Sequence, residues 1–185
     1  MKRIIIFLIA FMLATPAFSQ ELSKKERRQM EKELKKEQQA EEAAQKAALV
    51  NLMVHYQRFI LEADKLRDKR GNAVNVSATL NFIAVDSTSG VIQVGSNSYV
   101  GLNGVGGITV DGPLSNYTYS VSEKTGYYNV TYNLRTTVGT YDVRLSIAPD
   151  GRADATVSSS WPGKLNYSGY IVPIATSRVY QGTSY

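Results

Sequence analysis

The sequence predicts an α+β fold: an antiparallel β-meander of eight or nine short strands, with one packed N-terminal amphipathic helix preceded by a charged helical extension. Three observations carry this expectation. From Val74 onward the hydrophobic period changes from near 3.6 to 2. Turn residues punctuate that second half at short intervals. No helical pattern separates the alternating runs, so sequence neighbours are expected to pair antiparallel. Whether the sheet is an open curl, a sandwich or a closed barrel is left open by the pattern.

The chain begins with an export signal. Lys2 and Arg3 form a positive start, Ile4–Ala14 is uninterrupted and apolar, and Ala17 and Ser19 give the small-x-small pattern of a peptidase site before Gln20. The apolar run is too short for the roughly 20 residues that cross a bilayer as a helix. Residues 1–19 are therefore read as a cleaved signal peptide and the mature chain as periplasmic or secreted, without a transmembrane anchor. No cysteine is present, so an exported chain free to use disulfides must rely on its core.

Residues 20–48 form the charged extension. Glu21–Ala48 contains eight basic and seven acidic residues, with only Leu22, Met30 and Leu34 as large apolar side chains. Glu21/Lys25, Glu31/Lys35 and Glu42/Lys46 are spaced to support a helix, each by about 0.2–0.5 kcal/mol. The leading expectation is a solvated helical spacer. A coiled-coil or partner-docking segment is the alternative, although no heptad seam is sustained.

Residues 49–185 are expected to hold the globular domain. Leu49, Leu52, Met53, Tyr56, Phe59, Ile60, Ala63 and Leu66 recur at three- and four-residue steps, predicting a helix over Leu49–Leu66 that lays its stripe on the sheet. Lys69 and Arg70 suit its C-terminal end, and Gly71 its left-handed cap. The strands follow. Val76, Ala78, Leu80, Phe82 and Ala84 open the series. Tyr128, Val130, Tyr132 and Leu134 alternate with polar residues, as do Tyr141, Val143, Leu145 and Ile147 beyond the Gly139 break, predicting a hairpin. Ala153, Ala155 and Val157 continue it, and Leu165, Tyr167 and Ile171 close it.

Several segments carry a family likeness: Phe59–Asp64, Leu80–Asp86, Gly104–Gly112, Asp150–Ala153 and Tyr167–Ile171. Together they resemble a domain-of-unknown-function family, numbered 4251, of exported Bacteroidota proteins. The resemblance covers roughly Ala47–Tyr180 and leaves out the charged helix. It implies a periplasmic or envelope setting and brings neither an activity nor catalytic residues.

Chemistry-bearing residues are sparse. His55 is the only histidine and there is no cysteine, which leaves a zinc site without three or four ligands and a Ser-His-Asp arrangement without support. Asp142, Asp150 and Asp154 read as turn and outward strand residues rather than paired acids or calcium ligands. Gly101, Gly104, Gly106 and Gly107 precede strand-like Ile108-Thr109-Val110, whereas a phosphate loop must open a helix. No enzyme activity, metal or cofactor is expected. The net charge of +5 resides in the signal and the helical region, since Gly71–Tyr185 has six residues of each sign. Nucleic acid is accordingly not expected as a partner.

The aromatic residues are the most suggestive feature. Tyrosine pairs an apolar body with a polar tip, which suits pockets and interfaces. Tyr128, Tyr132 and Tyr141 share the apolar phase and read as core. Tyr127, Trp161, Tyr170 and Tyr180 are the candidates for a ligand or partner surface. The leading functional expectation is a non-enzymatic exported module that contacts an envelope protein. The alternative is a small-ligand carrier with a pocket inside a curled sheet or barrel.

Overall fold

The computed structural model describes residues 24–96, 101, 103–159 and 163–184. The signal peptide and Trp161 expected from the sequence lie outside these residues. The chain divides into two compact units, Met1–Ala40 and Glu41–Tyr185. Helix α1 spans Lys24–His55. In the first unit its described residues are all exposed, Met30 and Leu34 among them. A coiled coil is not supported. No helix among the described residues is long and apolar enough to cross a membrane.

The second unit contains the end of α1 and nine strands: β1 (Arg58–Arg67), β2 (Ala73–Asn75), β3 (Phe82–Asp86), β4 (Ser89–Val94), β5 (Ile108–Val121), β6 (Tyr128–Thr136), β7 (Gly139–Ile147), β8 (Arg152–Ser159) and β9 (Lys164–Val172). Every pairing is antiparallel. Eight strands follow one another around the sheet, and β1 pairs with β9 to close it into a barrel. The short β2 is the extra strand, laid beside the C-terminal end of β1. The predicted α+β meander is present, and of the three forms left open it is the barrel.

The expected helix over Leu49–Leu66 is corrected. It stops at His55, Gln57 adopts a positive φ of 54°, and the chain continues as β1. The three- and four-residue spacing that suggested a helix has a strand explanation. Phe59, Leu61 and Ala63 step by two into the core, and a register shift between Ala63 and Lys65 returns Leu66 to the same face. Gly71 does take a left-handed φ of 91°, but in the β1–β2 turn. There the Asp68 carboxylate accepts from the Arg70 and Asn72 amides and the Asn72 side chain. These bonds, the Asn72 side chain first, hold its pKa below the usual carboxylate value.

What remains of α1 closes one end of the barrel. Val50, Met53 and Val54 join the core, whereas Leu49, Leu52 and Tyr56, expected in the buried stripe, are exposed. Tyr117 donates its hydroxyl to the Val54 carbonyl at 2.9 Å, and Asn51 donates to the Tyr128 hydroxyl at 2.9 Å. The helix end is therefore fastened by strands β5 and β6 as well as packed.

The hairpin predicted from Tyr128–Ile147 is β6–β7, with Tyr128 opposite Ile147. The first strand is out of phase with its prediction: Leu80 precedes it, and Ile83 and Val85 face the core rather than Phe82 and Ala84. Periodicity fails here because both faces are covered. Outside the barrel Asn81, Gln93, Asn103 and Thr109 are buried. Gln93 donates to the Leu80 and Tyr180 carbonyls and accepts from Thr109 and the Gly182 amide, binding the C-terminal tail to β4 and β5. All four hydrogen-bonding positions of this buried amide are used.

Candidate ligand pocket at the barrel mouth

The strands run between two unlike ends. At the helix end, the turn between β3 and β4 is tied to the helix exit by the Ser87 amide donating to the Gln57 carbonyl. At the other end, the core does not fill the barrel. A cavity of about 300 Å³ opens there between β4, β5, β7, β8 and β9. Its walls are the apolar phase of those strands near their ends, with Ile92, Val110, Val157 and Tyr167 deeper and Val94, Ile108 and Leu165 more exposed. Lys164 and Ser159 stand among the lining residues.

Tyrosines form the floor and one wall. Tyr167 is fully buried, with its hydroxyl 3.4 Å from the Gln93 carbonyl. Burial, with a smaller contribution from Tyr141, pushes its pKa far up. Tyr141, half-buried at the mouth, is raised for the same reason. One step further in along β6, Tyr132 stacks on Tyr117 with ring centroids 6.1 Å apart. Its hydroxyl is buried without a hydrogen-bond partner, alone in this among the described residues. Desolvation keeps these phenols neutral, so they offer apolar surface and weak dipoles.

The unpaired hydroxyl has a measurable consequence. A buried polar group left unsatisfied costs about 1–3 kcal/mol. Tyr132→Phe removes it with little change of shape and is expected to stabilise the protein by about 1 kcal/mol, raising the melting temperature by a few degrees. Differential scanning calorimetry checks this, and a lower melting temperature would show that the hydroxyl is satisfied after all.

Of the aromatic candidates from the sequence, the described ones, Tyr127, Tyr170 and Tyr180, are not among the residues lining this pocket. Tyr127 and Tyr170 are exposed at the helix end. There Arg152 lies 5.9 Å over the Tyr170 ring, and its guanidinium pKa is raised chiefly by that tyrosine. Tyr180 is exposed in the C-terminal tail, its backbone bonded to Thr79 and Gln93. Residues Tyr141, Val157, Leu165 and Tyr167 carried the relevant signal in their shared apolar phase. That phase alone cannot distinguish a filled core from an empty mouth.

The remaining chemical candidates sit elsewhere. His55 Nδ1 lies 3.1 Å from the Tyr119 hydroxyl on the exposed side of the helix end. Asp142 accepts from Asn133, and Asp154 from Ser168, on the outer face. Asp150 caps its own turn through the Arg152 amide. The glycine-rich stretch leads directly into β5, with Gly101, Gly104 and Gly106 at positive φ, as a tight turn requires. No group of three or more metal-ligating side chains comes together among the described residues.

Comparison with known proteins adds a family. The model of the family described as a domain of unknown function, DUF4251, matches residues 40–171. The chain is also similar to the crystal structure of a DUF4251 family protein from Bacteroides eggerthii DSM 20697. The two are 27% identical with a TM-score of 0.60, over 73% of this chain and 90% of that one. No curated protein matches the chain.

Proposed function

Since this chain belongs to the DUF4251 family, whose description assigns no activity, we propose from the barrel mouth that it is a non-enzymatic exported protein binding a small, largely apolar ligand. The observation that carries this reading is the cavity of about 300 Å³ at one end of a barrel whose other end is plugged by helix. That volume stands at the lower limit of the roughly 300–1,000 Å³ typical of ligand pockets. Apolar walls favour entry of an apolar body, and the rigid strands that present them are already held by ladder bonds on both sides. The signal-like N-terminal sequence supports a carrier that works outside the cytoplasm, in the periplasm or beyond.

Native mass spectrometry of the protein purified from its own cell envelope tests the proposal. The expected result is one small adduct per chain, lost in Val94→Phe, which fills the mouth from a half-buried position. A bare mass for the unaltered protein, together with no response of the pocket residues to octanol in NMR titration, would overturn it.

A second reading, contact with an envelope protein, is favoured by one feature. Leu49, Leu52 and Tyr56 are exposed on the helix at three- and four-residue spacing, with Leu52 and Tyr56 at 51% and 63% exposure. Such spacing is what a partner groove would read.

A further inference from the structure

We propose that the ligand of this mouth is an amphipathic anion, a medium-chain carboxylate whose apolar chain fills the pocket while its head group faces Lys164. The inference rests on the pocket reading above and adds the chemical class. Its ground is the distribution of charge around the opening.

Lys164 is the single charged residue among the described lining residues. It opens β9, is exposed, and makes no ion pair among the described residues. The described residues of the connections at this end, 95–96, 101, 103–107, 136–139 and 163, include no charged side chain of either sign. The charges that do occur at this end are mostly basic. Arg67 ends β1 opposite Asn166 of β9, Lys69 and Arg70 follow in the adjoining turn, and Arg135 pairs with Thr140 beside the β6–β7 turn.

The one acid in that set is already occupied. Asp68 turns its carboxylate into its own loop, bonded to Arg70 and Asn72. Asp111 lies further along β5 on the outer phase, opposite Val91, whereas Asp142 stands in one row with Lys164 through Ser158 between them, its carboxylate accepting from the Asn133 side chain. A neutral chain entering this mouth would gain only apolar burial. A chain carrying one negative charge at its outer end gains the surrounding positive field as well. A volume of about 300 Å³, at the small end of ligand pockets, limits the chain to medium length.

Isothermal titration of the whole protein with octanoate, octanol and octylammonium, matched in chain and different in charge, tests the proposal. Because Lys164 is exposed, the preference is modest: octanoate is expected to bind about three- to fivefold tighter than octanol at low salt, and the difference to shrink in high salt. Octylammonium should bind more weakly than octanol. Lys164→Met is expected to bring octanoate to the octanol level while octanol changes less than about twofold. Lys124→Met should leave the preference intact. Equal binding of octanoate and octanol by the unaltered protein would overturn the anionic head while leaving the pocket standing. A preference that survives Lys164→Met would overturn its assignment to that lysine. Binding of none of the three would remove the pocket reading itself, and this inference with it.

Discussion

Val54→Asp is expected to destabilise the barrel by about 3–5 kcal/mol, enough to unfold a protein of ordinary stability. Val54 is fully buried in the core with Val50 and Met53 around it, and its carbonyl already accepts the Tyr117 hydroxyl. A carboxylate placed there must either stay charged in an apolar setting or take up a proton. Its folded pKa would be raised above the unfolded value near 3.9. Such a group binds more protons folded than unfolded, so the variant's deficit against the unaltered protein should grow as pH rises from about 4 to 7. Urea titrations followed by circular dichroism at both pH values measure this. A deficit independent of pH would mean that the helix end swings out and leaves the new side chain in water. Leu52→Asp, two residues away on the exposed face, should cost within about 0.5 kcal/mol.

The second large effect concerns closure of the barrel. Gly169 faces Ala63 across the β1–β9 seam, beside the register shift between Ala63 and Lys65. A Cβ at Gly169 would meet the Glu62 carbonyl oxygen and come within 2.8 Å of the Ala63 Cα. Both obstacles are backbone, so no rotamer change relieves them, and the strands must separate. Gly169→Ala should therefore cost about 3 kcal/mol or more, at the upper end of overpacking penalties. The loss should concentrate at the seam, visible as faster amide exchange at Leu61, Tyr167 and Ile171. At Gly163 a Cβ meets nothing within 4 Å, and the corresponding substitution is expected to be near neutral. Equal stability of the two variants would show that β1 and β9 are not held at this spacing.

The legibility of this chain depended on how many faces of each strand meet solvent. Strands β6 to β9 have one wet face, and their alternation gave phase and pairing correctly from Tyr128 to Ile171. Strands β3 and β4 are covered on both faces, by the core and by the tail that Gln93 secures. Periodicity there had nothing to report. The segment Phe59–Leu66 misled for another reason: a strand interrupted by a bulge leaves the same spacing as a helix, and only the partner strands resolve the ambiguity. The pocket was less legible still. Tyrosines in doubtful phase drew attention to Tyr127, Tyr170 and Tyr180, whereas the mouth is lined by Tyr141, Tyr167 and unremarkable Val, Ile and Leu whose significance lies in what fails to pack against them.

The pairing of β1 with β9 also bears on how the chain is made. These strands are the first and last of the barrel, and the Asn166 side chain reaches the Arg67 carbonyl across 99 residues of sequence. Closing a loop of that length cannot precede synthesis of its far end. Until Lys164–Val172 is delivered, the growing sheet has two unpaired borders, β1 and β8, each able to recruit a stray strand. A polypeptide released before β9 would thus carry most of its core residues and still expose two adhesive borders.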